Sequence, residues 1–299
     1  MVSIVPDGRL VYGMQLQVQS QSAIYAEEWE AKAGADALAA IGRKADATGF
    51  YYVAVCDHVA IPKPFDERMR TTWYDTVATL GWLAALTERV RLMSHVFVLP
   101  YRHPLVAAKS FMTLDHLSGG RAIMGVGTGH VEPEFRLLGV DFEGRGRITT
   151  DAIDEVWAAF LSEYVHDAGM APRPEQAPVP IWVGGSTRGA LRRAAERGDG
   201  WLPQGVPQMG LAEAIAYIRR IRGDEPIEIG ANSPWLYVGT PRFDLGPNAR
   251  SGRGEAIAAL LRDLQALGVS HVGVRFRTRS VDELLEQIDA FAREVAPHL

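Results

Sequence analysis

The chain has 299 residues, a formal net charge of −5 and a hydrophobic fraction of 47%, enough to bury one large core without disulfide or metal support. Its single cysteine, Cys56, excludes a disulfide within the chain and fits a reducing, cytoplasmic setting. No basic stretch interleaves with aromatics as nucleic-acid binders require, no apolar run reaches membrane-spanning length, and the opening residues MVSIVPDGRLVYG do not read as a signal peptide.

Apolar runs of strand length alternate with helical patterns along the chain. A strand is predicted over 10–18, then a polar stretch over 19–35 and a helix over 36–48 that stops at Gly49. A buried-type strand follows at 51–56, a helix at 74–88, a strand at 90–99, and a helix at 104–117 that ends at Gly119 and Gly120. The fourth strand covers 121–126, and after a long excursion a helix covers 150–164. Strands at 180–185, 200–203, 227–239 and 271–276 then alternate with helices at 187–197, 210–222, 254–267 and 281–295. In the last two helices Ile257, Leu260, Leu261 and Leu264, and Val281, Leu284, Leu285 and Ile288, follow i, i+3, i+4, i+7 spacing. Strict alternation of eight strands with eight helices implies a parallel sheet covered by helices. The fold class is α/β: closed, a (βα)8 TIM barrel over residues 1–299 as one domain, with insertions near 19–35, 59–73, 130–149 and 240–252; open, a doubly wound sheet.

Chemistry in a barrel sits where the strands end, and the unusual residues gather there. Strand two runs into Cys56-Asp57-His58, strand three carries Ser94-His95, and strand four exits through Gly125, Gly127 and Gly129 to His130. The glycine run reads G-x-G-x-G, not the dinucleotide pattern G-x-G-x-x-G. A tight turn explains one of these glycines, whereas bare backbone along a flat aromatic ligand explains all three, and that is the reading adopted. Strand five ends in Gly184-Gly185, with Ser186 and Thr187 where a helix begins. This pattern suits a phosphate at a helix N-terminus and, equally, a helix cap beside flexible glycines. His58 is the candidate proton carrier, with Asp57 to orient it or to bind a ring nitrogen of a ligand. Strand one offers Gln15 and Gln17 where a metal-dependent barrel would place paired histidines, so no metal is expected. No G-x-S-x-G elbow is present for a serine hydrolase. Tyr12, Trp73, Trp201 and Trp235 read as ligand walls or as core.

The segments AVCDHV (54–59), TERVRLMSHVFVLPYRHPLVAAKSFMTLDHLSGGRAIMGVGTG (87–129), EFRLLGVDFEGRGR (134–147) and PIWVGGSTRGALRRAAERGDGW (180–201) resemble the luciferase-like monooxygenase superfamily, and most of all its coenzyme F420-dependent branch. The resemblance implies a (βα)8 barrel with insertions, a deazaflavin (coenzyme F420) or alternatively the flavin FMN across the barrel mouth, and hydride transfer to or from a small organic molecule. The acceptor would be an activated alkene, an imine or a carbonyl, and the donor an alcohol. An FMN-dependent monooxygenase and a non-catalytic flavin carrier are the alternatives. It further implies Asp57 and His58 beside the reacting ring, and a non-proline cis peptide near Ser94-His95-Val96 backing it. Gly127, Thr128 and Gly129 would pass close to the cofactor, Gly184, Gly185, Ser186 and Thr187 would hold its phosphate, and Val183 and Gln204 would also bind the cofactor. Relatives of this kind pair, so a cytoplasmic homodimer without nucleic-acid or membrane partners is expected.

Overall fold

The computed structural model describes residues 3–6 and 8–299. Eight parallel strands form the barrel: β1 Val11–Gln15, β2 Tyr52–Val55, β3 Arg91–Ser94, β4 Ala122–Gly127, β5 Ile181–Gly184, β6 Gly200–Leu202, β7 Glu228–Val238 and β8 His271–Phe276. Each pairs with the next, and β8 returns to β1 through Val11–His271 and Met14–Val274. The β6–β7 pairing, Gly200 with Glu228 and Trp201 with Ile229, completes the ring. The sheet is therefore closed, and the open alternative is set aside. Eight helices cover it: α1 Ala35–Ala47, α2 Thr76–Ala84, α3 Pro104–Ser118, α4 Arg145–Leu161, α5 Arg188–Arg197, α6 Leu211–Arg222, α7 Gly254–Ala266 and α8 Val281–Ala290.

Side chains of period two divide the strands between two cores. Val53 and Val55 of β2 face the helices, in a cluster that includes Leu38, Phe111, Ile257, Leu261, Leu284 and Ile288. Tyr52 and Ala54 face inward, against Met93, Ile123, Trp182 and Leu202. This interior is a packed plug rather than a pore. Val5 closes its lower end; its N–H and the Ser3 hydroxyl share the Glu228 carboxylate, and the Tyr51 hydroxyl donates to the Ile4 carbonyl. Trp182 stacks on His271 at 4.2 Å and meets the Tyr52 ring edge-on.

Several boundaries differ from the sequence pattern. The strand expected over 10–18 ends at Gln15, because the chain turns through Val18 at φ 72°. The run 90–99 divides into β3 and a two-residue piece, Phe97–Val98, on either side of a cis peptide between His95 and Val96. Helix α4 begins at Arg145, five residues ahead of the expected 150, and its last turn leads into a small hairpin, Tyr164–Val165 with Ala168–Gly169. The excursions carry short helices at Asp66–Met69 and Glu132–Leu137, and the strand Ala249–Gly252 pairs alongside the upper half of β7. The Gly119 stop behaves as expected, with φ 67° at the end of α3.

Gly125 shows how tightly the strand ends are packed. A Cβ there would collide with the Ser94 carbonyl and press on Leu202. Gly125→Ala is expected to destabilise the protein by about 1–3 kcal/mol through overpacking. Gly81→Ala, on α2 where an added Cβ meets nothing within 4 Å, is expected to stabilise it by about 0.5–1 kcal/mol. Chemical denaturation of the two variants checks the opposite signs.

Candidate active site

The loops after the strands bring His58, His95, His130 and Trp73 to the end of the barrel where β8 carries Arg275. His58 is held by a residue that the sequence pattern did not single out. Its Nδ1 lies 2.7 Å from Glu134 Oε2, and its side chain is 8% exposed. Glu134 is fully buried in the short helix after β4, anchored by buried Val131 and Phe135. The same carboxylate accepts the N–H groups of Val59 and Ala60 at 2.7 and 3.1 Å and the Tyr101 hydroxyl at 2.8 Å. Burial pushes its pKa up, but the His58 interaction, the Ala60 N–H and the Tyr101 hydroxyl outweigh this and leave it below the usual range. Burial and the adjacent Glu134 charge drive the Tyr101 phenol up. An ionised carboxylate only accepts, so His58 carries a proton on Nδ1 and leaves Nε2 for exchange. Trp73 packs edge-on against the His58 ring at 4.4 Å and the His130 ring meets it at 5.7 Å.

Asp57 does a different job from the one expected. Its buried carboxylate forms a two-pronged pair with Arg102, at 2.6 and 2.8 Å, and accepts the Val98 N–H at 2.8 Å and the Thr76 hydroxyl at 3.2 Å. Both oxygens are taken, so Asp57 neither orients His58 nor offers a free oxygen to a ring nitrogen. It ties the loop after β2 to the start of α2 and to the chain after β3.

The glycines also have a local explanation. A Cβ on Gly127 or on Gly184 would stand 2.5 Å from a Val96 methyl. The two methyls of Val96 thus fill the space that glycine leaves on β4 and β5. Gly129, at φ 73°, faces Val98 and Phe135. The alternating glycines admit the chain's own bulge, and the result is a flush floor of Val96 and backbone. Ser94 points out of the mouth, its hydroxyl donating to the Gly125 carbonyl at 2.8 Å. Val183 is buried among the helices and meets the mouth through backbone alone. Thr128 carries the chain over the rim toward His130.

At β5 the Ser186 hydroxyl accepts the Gln204 N–H at 3.0 Å and lies 3.0 Å from the Gln204 carbonyl, joining the loops after β5 and β6. Thr187 caps α5 through the Ala190 N–H at 3.3 Å, leaving other first-turn N–H groups of the helix for an anion. Gly185 has φ 119° and carries the chain from strand to helix. Of the four candidate aromatic walls, Trp73 alone touches His58. Tyr12 packs on Phe50 and Phe291, Trp201 is buried with its N–H on the Gly185 carbonyl, and Trp235 lies beneath Arg277. Among the described residues no group of three His, Cys, Asp or Glu side chains is set to hold a metal ion, and no helix is long and apolar enough to cross a membrane. Two recesses open at the other end of the barrel, around Arg9, Arg219 and Glu228 and around Asp46, Arg89 and Arg91, and contain no histidine.

The segment after β1 closes over this mouth. Glu27 pairs with Arg277 at 2.8 Å, and the Gln21 and Ala23 N–H groups bond to the 68–72 stretch. Glu30, 2% exposed, anchors the segment by accepting the Val18 and Glu27 N–H groups, each at 2.8 Å. Burial raises its pKa to about 7, against the pull of those two N–H groups and with help from the Glu27 charge.

The family model for luciferase-like monooxygenases matches residues 12–241. An uncharacterised protein of Mycobacterium tuberculosis is 32% identical over 216 residues, 65% of this chain and 73% of that one. The F420-dependent glucose-6-phosphate dehydrogenase of Kineococcus radiotolerans is 39% identical over 136 residues, 41% of this chain and 40% of that protein. The 4-hydroxyprotoasukamycin monooxygenase of Streptomyces nodosus is 32% identical over 136 residues, 42% and 37% of the two chains. Among solved structures, monooxygenase RslO1 from Streptomyces bottropensis superposes with a TM-score of 0.77 at 19% identity, covering 97% of this chain and 99% of that one. The F420-dependent tetrahydromethanopterin reductase of Methanopyrus kandleri does so with a TM-score of 0.73 at 18% identity and the same coverage. The chain belongs to the luciferase-like monooxygenase family and is an oxidoreductase in class.

Two stability effects follow from the buried carboxylates. Asp57→Asn takes from Arg102 its two-pronged partner, leaving only the exposed Asp75 at 3.9 Å, and is expected to cost about 3–5 kcal/mol, read as a lower denaturation midpoint. Glu30 holds its proton in the fold to about pH 7, from a reference near 4.5. The native state therefore binds more protons than the unfolded one in that window, and this residue's contribution makes stability fall as pH rises. Denaturation of wild type and Glu30→Gln between those pH values should show the shallower decline in the variant.

Proposed function

We propose that the protein is an F420-dependent oxidoreductase that moves a hydride between the deazaflavin and a small organic molecule bearing an activated alkene, imine, carbonyl or alcohol. The observation that carries the reading is the His58–Glu134 pair at the rim of a floor made of Val96 and glycine backbone. The F420 dependence rests on the Kineococcus relative and on the sequence resemblance.

The residues present fit such a group. Val96 packs where Gly127 and Gly184 leave no side chain, an apolar backing that suits a planar ring, and the capped start of α5 with Ser186 and Thr187 suits its phosphate. When bound, a deazaflavin supplies the carbon that carries the hydride. The chain supplies the rest. His58 Nε2 holds or takes a proton at the substrate's polar atom, and Glu134 fixes the tautomer that leaves Nε2 available. Trp73 shields that exchange from water. Asp57 is a positioning residue, acting through Arg102 and Thr76. A cytoplasmic homodimer belongs to the same proposal.

Titrating the desalted protein with F420 and with FMN, followed by absorbance, tests the cofactor. Micromolar F420 binding with negligible FMN binding supports the reading, and the reverse makes the protein a flavin monooxygenase or carrier. With an accepted substrate, His58→Asn should lower turnover by about 10²–10⁴-fold while F420 affinity stays as in wild type. Unchanged turnover would remove His58 from the chemistry.

A further inference from the structure

We propose that Arg275 and His95 form a second anion subsite in the barrel mouth, one that holds a carboxylate or phosphate carried by the molecule being turned over. This deepens the proposed function, and rests on it only in assigning the anion to the reactant.

The cations around the mouth are not equivalent. Arg102 is committed to Asp57 at 2.6 and 2.8 Å. Arg277 is committed to Glu27 at 2.8 Å and lies 4.1 Å from the Trp235 ring. Arg275 sits two residues earlier on β8 and is half-buried. It follows His271 and Gly273 in the alternation that points into the barrel. Among the described residues its side chain makes no ion pair and no hydrogen bond; the guanidinium lies 4.8 Å from the Tyr25 ring. A guanidinium stays charged at any physiological pH, and a charge taken partly out of water without a counter-ion is costly.

His95 enters the same space from the end of β3. It makes no side-chain hydrogen bond among the described residues, and it is close enough to feel the Arg275 charge. Burial first, and then that charge, hold its pKa down to about 4. The other titratable groups facing the pair are Tyr52, pushed upward by burial, and His271, pushed down by burial to about 3, so neither supplies a negative charge at neutral pH. An anion would meet a guanidinium fork and a neutral imidazole that can donate, while the nearby Glu27 carboxylate is taken up by Arg277. The phosphate-suited start of α5 follows β5, on a different arc of the barrel from β8. The two places therefore suit two different anionic groups. A bound anion also favours protonated His95, so binding should carry a proton with it.

Isothermal titration of the cofactor-free full chain with inorganic phosphate and with pyruvate, at pH 5.5 in two buffers of different ionisation heat, tests this. Saturable binding of at least one anion is expected. Arg275→Gln should weaken it about tenfold or more, Arg275→Lys should retain most of it, and Arg192→Gln on the outside of α5 should leave it unchanged. Proton uptake should appear in wild type and vanish in His95→Asn. Thermal melting confirms that the variants are folded. No binding of either anion, or equal binding by wild type and folded Arg275→Gln, overturns the subsite. If F420 added first abolishes anion binding, the anion belongs to the cofactor and the assignment to the reactant is overturned. Failure of the F420 reading shows separately, as absent F420 binding while the anion titrations stand.

Discussion

Two carboxylates removed from water, Asp57 and Glu134, are the constraint on which the mouth of this barrel depends. Neither is tolerable there alone, because an ion in a low-dielectric interior needs compensation in charge and in hydrogen bonds. Asp57 draws in Arg102, Thr76 and the Val98 backbone; Glu134 draws in His58, Tyr101 and two N–H groups of the loop after β2. Tyr101 and Arg102 are adjacent in sequence, and so are Asp57 and His58. The two networks consequently lock the same two stretches against each other, and the helix after β4 against both.

That clamp has a steric counterpart. The chain after β3 comes in over β4 and β5, and it can do so only because Gly127 and Gly184 lack side chains where the Val96 methyls lie. Ser94 is bound from the other side, its hydroxyl on the Gly125 carbonyl. The floor of the mouth and its acid–base edge are thus two consequences of one packing arrangement. A change in either glycine would displace Val96, and with it the segment that leads to Val98, Tyr101 and Arg102.

The parts of this arrangement legible in the sequence were those with a periodic or end-of-element signature. Alternating apolar runs and helical spacing such as Ile257, Leu260, Leu261 and Leu264 revealed the barrel, whose closure came only with the β6–β7 and β8–β1 pairings. Thr187 was legible as a cap because caps are local. The glycine run was visible, but its cause was not: whether a missing Cβ makes room for a ligand or for Val96 depends on a contact between residues about thirty and ninety positions apart in sequence. Glu134 carried a signal that went unread. With Val131, Phe135 and Leu138 it occupies i, i+3, i+4, i+7 positions, so a charge falls on an apolar face. A charge in that place needs a partner, and its partner is the histidine. Asp57 was misread because an acid beside a histidine in sequence need not face it in space.

The division of labour between Glu134 and His58 follows from hydrogen-bond capacity rather than from proximity to a substrate. A carboxylate that already accepts four donors, and whose pKa is held low by them, is a poor proton acceptor at neutral pH. His58 spends one nitrogen on that carboxylate and keeps the other. The pair therefore behaves as one group with a single free end, whose tautomer is set from within the protein by the Nδ1–Glu134 contact. The pKa of His130 is lowered first by burial and then by its neighbour His58, against the pull of the Glu134 charge, and among the described residues no hydrogen bond ties its ring to that carboxylate. Two histidine rings within 5.7 Å are thus made unequal by the hydrogen bond that only one of them makes to the buried acid, and the proton-exchanging role proposed for this site goes with the ring that Glu134 holds.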